Sequence, residues 1–200
     1  MTALRKPHIA LTPKTAPFAI RAERASDVVA REALLDACFG ANRQMRTCQH
    51  LRDGRAPADG LALSAVREGR LVGSVRLWHV SAGGIPALVL GPLAVDEASR
   101  KLGVGAALME RALEVARQRG HGAVILLGDA PYYARFGFSA AKTSELSLPG
   151  PFERDRLLGR ELREGALDDG WGMIVATGQP AAPKIRAPRA KTLRSATHAA

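Results

Sequence analysis

Two kinds of hydrophobic spacing alternate along the chain and indicate a mixed α/β fold. Apolar runs typical of strands lie at 61–66, 71–80, 87–95 and 123–127. The run over 87–95 is nearly continuous, which predicts a strand that is buried on both faces. Between the last two runs, apolar side chains over 104–118 recur at helical spacing. Strand, helix and strand form a βαβ unit, so the strands 87–95 and 123–127 are predicted to run parallel.

The flanking segments carry weaker patterns. A turn over 68–70 separates the first two apolar runs and predicts a β-hairpin. Ser26 is the predicted N-cap of a helix that ends near Phe39, before Gly40. Further predicted elements are a strand over 18–22, a short helix over 45–51, a strand over 138–142, a segment of mixed helical character over 157–167 and a last strand over 172–177.

The basic excess of the chain is concentrated at its two ends. The 200 residues carry a formal charge of +10, with 29 Lys and Arg against 19 Asp and Glu. Residues 1–22 contribute +4 and residues 179–200 contribute +5, whereas 23–178 carry only +1. We therefore predict three parts: a basic, flexible N-terminal extension over 1–17, one domain over 18–178 and a basic, disordered tail over 179–200. Nucleic acid would be bound through these tails and not through the domain.

Composition disfavours several classes of protein. An apolar content of 46% is too high for a chain that is disordered throughout. The apolar runs fall far short of the ~20 residues that a membrane helix needs, and the N-terminus lacks the apolar core of a signal peptide. Cys38 and Cys48 have no companion metal ligands and are expected to be reduced thiols. We expect a cytoplasmic protein with no metal site and no membrane partner.

The junction between the strand 87–95 and the helix after it carries the first chemical motif. The segment reads Arg100-Lys101-Leu102-Gly103-Val104-Gly105-Ala106. Two glycines allow a ligand to approach the backbone, and the first turn of a helix has unpaired N–H groups. Together with the helix dipole and Arg100, they favour an anion such as phosphate. The spacing matches neither a Walker A loop nor the G-x-G-x-x-G dinucleotide motif, and glycines that merely begin a helix are the alternative.

A second motif directly follows the parallel partner strand. It reads Gly128-Asp129-Ala130-Pro131-Tyr132-Tyr133-Ala134-Arg135-Phe136-Gly137-Phe138. Ligands of α/β sheets bind at the carboxyl ends of parallel strands, so both motifs are expected at one edge of the sheet. A tyrosine there is protonated at neutral pH and can donate a proton. The alternative is that Tyr132 and Tyr133 are core aromatics.

Together the two motifs resemble those of the GNAT superfamily of acetyl-CoA-dependent N-acetyltransferases. The pattern is R-x-x-G-x-G/A between a strand and a helix, followed after the next strand by Y-x-R-x-G-F. With Gly91-Pro92-Leu93-Ala94-Val95, the chain looks like the YhbS-like branch. The resemblance covers roughly 18–177 and implies the GNAT acyl-CoA N-acyltransferase fold. That fold is a central mixed, twisted sheet with a βαβ coenzyme-binding unit, flanked by helices.

The resemblance also implies an activity and a set of site residues. The implied cofactor is acetyl-CoA as the acetyl donor, and the implied reaction is direct transfer of the acetyl group to a primary amine without a metal. Tyr133 would be the general acid beside the sulfur of the coenzyme. Leu93, Ala94 and Val95 would bind the pantetheine arm, and Arg100, Lys101, Leu102, Gly103, Val104, Gly105 and Ala106 would bind the pyrophosphate.

The general base has no direct match in this sequence. In some GNAT enzymes an acidic residue on the strand equivalent to 87–95 has this role, but that strand carries no acid here. Asp129 is our candidate for the second catalytic residue, and His79 is a further candidate. A helix-capping carboxylate, a surface histidine and a relay through water are the alternatives.

The acceptor is an unidentified amine, either a small molecule or part of a protein. Its specificity is expected to arise in four segments: 40–60, 67–71, 80–86 and 145–170. Arg43, Arg46 and Arg52 in the first segment would favour an acidic acceptor, unless they are simply solvated. Two other functions stay open: a non-catalytic acyl-CoA-binding regulatory module, and an RNA- or ribosome-associated protein that acts through its tails. A homodimer is also open.

Overall fold

The computed structural model describes residues 17–182 and has a mixed sheet of nine strands. In chain order the elements are β1 (Ala19–Ala22), α1 (Val28–Phe39), β2 (Ala62–Arg67), β3 (Arg70–Ala82), β4 (Ile85–Leu90), β5 (Ala94–Val95), α2 (Val104–Gln118), β6 (Ala123–Leu127), α3 (Ala130–Ala134), β7 (Leu146–Ser147), β8 (Leu157–Glu161) and β9 (Gly172–Ala176). The main strand order is β1-β2-β3-β4-β6-β8. β5 and β9 pair with β3, and β7 pairs with β9.

The β2–β3 hairpin forms as its turn residues predict. Glu68 and Gly69 both have positive φ, at 50° and 75°, the conformation of a two-residue turn whose twist matches the strands. β3 is 13 residues long. Its first half pairs with β2 and its second half with β4, both antiparallel. This long strand therefore forms the spine of the sheet.

The predicted βαβ unit is confirmed. β4 and β6 run parallel, with Leu88 opposite Val124, and α2 connects them. At Gly73 of β3, a side chain would begin only 2.7 Å from Val104 Cγ1 and 2.9 Å from Leu108 Cδ1. Glycine at this position lets the first turns of α2 approach the sheet, which fixes where the N-terminus of the helix lies.

The sheet is buried on both faces. One face packs against α2 and includes Leu77, Leu88 and Leu126. The opposite face includes Trp78, Val89 and Ile125 and packs against segments that follow α3. α1 has its own small cluster on this second side, where its leucines contact Ala94 of β5. Alternation along each central strand thus supplies both layers, which explains the continuous apolar runs of the sequence.

The single strand predicted over 87–95 is wrong, because the structure has two strands there. β4 ends at Leu90, Gly91 and Pro92 interrupt the strand, and β5 begins at Ala94. Proline has no N–H group to continue a hydrogen-bond ladder. β5 resumes pairing with β3 at Gly73 and Ser74. Hydrophobicity continued through the break, but backbone pairing did not.

The predicted N-cap Ser26 is also wrong. Ser26 lies inside a 3₁₀ turn over Ala25–Asp27, and α1 begins at Val28 with Asp27 in the N-cap position. The Asp27 carboxylate accepts the Arg24 backbone N–H at 2.8 Å and thereby closes this turn ahead of the helix. The turn displaces the helix start beyond Ser26.

Three further element predictions are corrected. The short helix over 45–51 is replaced by 3₁₀ turns that are interrupted by extended backbone at Arg46. The strand over 138–142 reduces to a single bridge from Ser139 to Gly159, followed by a 3₁₀ turn. The segment predicted as mixed helical over 157–167 begins with the strand β8, because Leu157 and Leu158 are buried on opposite faces of the sheet.

The inner end of the C-terminal segment lies against the domain. The Gln179 carbonyl accepts the Ala56 N–H at 2.8 Å, and the Ala181 N–H donates to the Gly54 carbonyl at 2.8 Å. The rest of the predicted tail, 183–200, and residues 1–16 of the predicted N-terminal extension lie outside the described residues. Within 17–182, none of the helices has the length and apolar character needed to cross a membrane.

Candidate active site

A gap opens between β4 and β6 at their carboxyl ends. The two strands pair at Leu88–Val124 and Val89–Ile125. Beyond these pairs the strand β4 is interrupted at Gly91 and Pro92. The chain then continues as β5, which pairs with β3 and not with β6. β6 instead continues alongside β8 as far as Leu127. The sheet is therefore split at the edge where ligands of parallel strands bind.

A cavity of about 520 Å³ occupies this gap. Its floor is formed by the strand ends, including Leu90, Leu93 and Leu126, and its sides by three segments that are distant in sequence. Those segments contribute Phe39, Arg43, Met45, Arg46, Thr47, Cys48, Gln49 and Arg52 from the region after α1, Tyr133 from α3, and Pro151, Phe152, Glu153 and Arg156 from the loop before β8. The volume lies within the usual range for small-molecule sites.

Tyr133 lies in the cavity wall and packs closely over Gly128. A side chain at Gly128 would begin 2.2 Å from Tyr133 Cε2, so only glycine leaves room for the ring. The Tyr132 ring packs edge-on against Tyr133 at 5.0 Å between centroids. Burial raises the pKa of Tyr133 to about 12, the charges of Tyr132 and Asp129 add to this rise, and Arg156 opposes it. The phenol is therefore held in its protonated form at neutral pH.

The glycine motif lies at the start of α2, as predicted. A 3₁₀ segment over Glu97–Leu102 leads into Gly103, whose φ of 79° lies in the left-handed region. A side chain there would meet nothing within 4 Å, so the space above the loop is open. The N–H groups of the first turn of α2 point out of the helix N-terminus, and Arg100 and Lys101 are exposed beside it. This open, positively polarised cradle fits a phosphate group.

The structure brings the two sequence motifs together. A side chain at Gly105 would begin 3.2 Å from the Tyr132 hydroxyl oxygen and 3.4 Å from Val95 Cγ2. Leu93 lines the cavity, and Ala94 is buried under α1. Over the part of the chain that the structure describes, β5 pairs with β3 alone, which leaves its other edge toward the gap. The residues present therefore fit an extended ligand with an anionic end.

Neither candidate general base lines the cavity, although Asp129 is near enough to Tyr133 for its charge to raise the pKa of that phenol. Asp129 occupies the N-cap position of α3 but makes no side-chain cap hydrogen bond there, and it is exposed outside the cavity wall. His79 of β3 lies opposite Leu88 of β4. The centroid of its ring is 5.3 Å from that of His121. His121 precedes β6, so this pair is at the amino end of the parallel strands, away from Tyr133. The structure does not bring His79 and Tyr133 together.

Several wall residues carry charges that the sequence motifs did not identify. Arg156 lies 3.5 Å from Glu153 and donates to the Gly128 carbonyl at 3.4 Å. Glu153 is the carboxylate in the cavity wall. Burial raises the pKa of the Cys48 thiol, so it stays neutral. The charged residues of the loop before β8 are far in sequence from the other wall residues, and the fold brings them to the cavity. Their local spacing in the sequence does not predict this position.

Comparison with known proteins decides the family. Residues 29–138 match the Acetyltransferase (GNAT) family. The chain belongs to this family. It is 29% identical over 157 residues to YhbS of Escherichia coli strain K12, named an uncharacterised N-acetyltransferase, and the match covers 78% of this chain and 93% of YhbS. The resemblance, the GNAT fold and the assignment to an N-acetyltransferase class of enzyme are confirmed.

Solved structures agree with the family assignment. The crystal structure of E. coli YhbS in complex with CoA is similar at a TM-score of 0.69 and 28% identity, covering 83% of this chain and 93% of that one. A GNAT family acetyltransferase from Brucella melitensis in complex with acetyl-CoA is similar at a TM-score of 0.55 and 26% identity, covering 72% of this chain and 96% of that one.

The described residues 17–182 contain no cluster of three or more His, Cys, Asp or Glu suited to a metal ion.

Proposed function

We propose that the protein transfers the acetyl group of acetyl-CoA directly to a primary amine. The observation that carries the proposal is the position of Tyr133, a protonated phenol in the wall of the cavity that opens between β4 and β6. The cradle at the start of α2 supports acetyl-CoA as the donor, because it suits a pyrophosphate and lies beside Tyr132. CoA and acetyl-CoA in the two similar structures agree with this assignment.

The chain supplies binding groups and a proton. Residues 100–106 would hold the pyrophosphate through backbone N–H groups, and Leu93, Ala94 and Val95 would align the pantetheine arm along the free edge of β5. The bound thioester supplies an activated acetyl group: the amine nitrogen forms the C–N bond as the C–S bond breaks. The Tyr133 hydroxyl gives its proton to the departing sulfur. The proton of the attacking amine passes to water, since Asp129 is exposed outside the cavity wall.

Replacement of Tyr133 by Phe tests this proposal. Loss of a general acid lowers a rate by about 100-fold or more. We expect Tyr133→Phe to lower kcat for thiol release from acetyl-CoA by that factor, across a panel of primary amines, with little change in coenzyme Kd by calorimetry. The matched control is Tyr132→Phe, which removes the neighbouring hydroxyl and should retain kcat. Tight coenzyme binding without turnover on any amine would instead favour a non-catalytic acyl-CoA-binding module.

A further inference from the structure

Arg52 lies in the wall between two cavities. The cavity at Tyr133 adjoins a second cavity of about 550 Å³ that lies between α1, the segment after it, and β3. Arg43, Gln49, Arg52 and Pro92 line both. The two spaces thus meet at Arg52, immediately beside the break between β4 and β5.

The Arg52 guanidinium is held in place by neutral groups. Its Nε donates to the Cys48 carbonyl at 3.1 Å, and its Cζ lies 5.5 Å from the centroid of the Trp78 ring. Its Nη1 is 3.8 Å from the point where a side chain on Gly91 would begin. Within residues 17–182, no carboxylate forms an ion pair with it. The Arg52 guanidinium is therefore held beside the break between β4 and β5, and no carboxylate of the described residues is paired with it.

The neighbouring charges compensate Arg52 only in part. Arg43 is already paired with Glu32 and Asp36 on α1. Burial lowers the pKa of Arg52, and the positive charges of Arg43 and Arg46 lower it further, against the opposing effects of Cys48 and Asp53. A half-buried guanidinium under these influences is stabilised by an anion that enters from the cavity.

Trp78 provides an independent sign of a missing hydrogen-bond acceptor. Its side chain lines the second cavity, and the residue is only 5% exposed. Its indole N–H has no hydrogen-bond partner among the described residues. Buried N–H groups without a partner are rare and costly. This buried, unpaired N–H belongs to the ring over which the Arg52 guanidinium lies.

We propose, on the basis of the proposed function, that the acceptor is a small primary amine that also carries a carboxylate, which Arg52 binds. The planar guanidinium matches a carboxylate in two parallel hydrogen bonds. The Trp78 ring provides the surface over which this guanidinium lies. Each cavity is of a size that suits a small molecule. Since Arg52 lies next to Gly91, the amine of such a molecule reaches the gap that Tyr133 faces.

Matched pairs of amines test the proposal. Amino acids and aminoalkanoic acids are compared with their carboxamides, using thiol release from acetyl-CoA for the unmodified 200-residue chain, Arg52→Gln and Arg52→Lys. We expect the carboxylate member of each accepted pair to have a kcat/KM about 10- to 100-fold higher, and Arg52→Gln to remove this preference. Arg52→Lys should restore only part of it, because Lys lacks the planar fork. Arg111→Gln, an exposed change on α2, controls for net charge.

Calorimetry on the CoA-loaded protein gives a second readout that needs no turnover. Carboxylate-bearing amines should bind with a Kd about 10-fold or more lower than their carboxamides, and Arg52→Gln should abolish the difference while thermal unfolding shows a folded protein. Equal use of both members of the pairs, or an equal loss on both in Arg52→Gln, overturns this inference and leaves acetyl transfer standing. Absence of thiol release with every amine overturns the proposed function, and the assignment of the bound amine as an acceptor with it.

Discussion

At the scale of single residues, the site depends on a contact between Gly128 and the Tyr133 ring. A methyl group at Gly128 would begin 2.2 Å from Tyr133 Cε2, so the ring must move. We expect Gly128→Ala to lower kcat for acetyl transfer about 10-fold or more and to destabilise the protein by about 1–3 kcal/mol, as overpacking does. Thiol-release kinetics and chemical denaturation measure the two effects.

Gly178→Ala is the matched control for this prediction. Its new methyl group would lie 3.5 Å from the Ala56 carbonyl oxygen, which is an ordinary contact. Activity and stability should both stay within experimental error of the wild type. Wild-type kcat in Gly128→Ala would show that the position of the Tyr133 ring is unimportant for the reaction.

Individual site residues differ in how far the sequence reveals them. Tyr133 belongs to a motif that is contiguous with a strand, so its place at the sheet edge follows from local pattern and topology. Arg43 and Arg52 are alike in sequence, and only the fold shows that Arg43 is paired with α1 carboxylates whereas Arg52 is not. Trp78 reads as one more core aromatic of a buried strand. Its unsatisfied N–H is a property of the packed structure.

At the scale of elements, Asp27 ties the start of α1 to the edge of the sheet. Its carboxylate accepts hydrogen bonds from the Arg21 guanidinium of β1 at 2.6 and 2.9 Å, from the Arg24 N–H at 2.8 Å and from the Ser64 hydroxyl of β2 at 3.2 Å. The Arg21 hydrogen bond is the main cause that holds the pKa of Asp27 well below its usual range, against the opposing effect of burial. The ionised form is thus part of the folded state.

Asp27→Asn should therefore change stability in a pH-dependent way. We expect the variant to lose about 1–2 kcal/mol of unfolding free energy between pH 5 and 8. Because the folded-state pKa is lowered, the contribution of Asp27 is complete above its unfolded pKa of about 3.9 and is lost as the pH falls toward the folded value. The difference between the wild-type and variant curves should begin to shrink near pH 4 and should continue to shrink as the pH falls further. Urea titrations across this range measure the difference.

Asp36→Asn on the same helix is the control. Its carboxylate is 57% exposed where it pairs with Arg43, and pairs with an exposed partner contribute about 0–1 kcal/mol. A loss in Asp36→Asn that equals the loss in Asp27→Asn would contradict the special role of the Asp27 anchor. A difference between Asp27→Asn and wild type that persists unchanged to pH 2 would contradict the lowered pKa.

Element predictions succeeded where one period dominated. The 15-residue helix α2 and the strand β6 follow from their spacing. Hydrophobic spacing does not predict the break between β4 and β5, because apolar side chains continue on both sides of Gly91 and Pro92 and hydrophobicity alone does not report hydrogen bonding. The sequence predicts partly helical character for the segment that forms β8, since a short apolar run fits either element. Its pairing with β6 is a long-range contact that local pattern does not contain.

At the scale of the whole molecule, the positive charge separates from the domain. Eight of the 29 basic residues and none of the 19 acidic residues lie in 1–16 and 183–200, which leaves 17–182 with a formal charge of +2. The proposed acetyl transfer uses only residues of the domain. Truncation can therefore separate any nucleic-acid binding by the ends from catalysis by the domain. The position of the C-terminal cut determines whether the domain itself is left intact.

Two truncations test this separation. A chain that ends at 182 loses five Lys and Arg and should keep wild-type acetyl transfer. If the tail binds RNA, this chain should bind RNA more weakly than the untruncated chain. The salt dependence that the cut removes, as the change in slope of log K against log salt, should be at most about 3.5 for single strands. Filter binding across a salt series measures the slope, and thiol release measures transfer. RNA affinity that is unchanged by the cut at 182 would place any such binding on the domain or the N-terminus instead.

A chain that ends at 178 should behave differently, because residues 179–182 are part of the domain surface. This cut removes the Gln179 and Ala181 hydrogen bonds to 54–56 and the part of the second cavity wall formed by Ala181 and Ala182. We expect a loss of about 1–2 kcal/mol in unfolding free energy and a higher KM for the amine, with the coenzyme Kd unchanged. Equal amine KM values for the chains ending at 178 and 182 would exclude the second cavity from acceptor binding. A higher amine KM in the chain ending at 178 alone would extend the acceptor site to residues 179–182, the inner end of the basic tail.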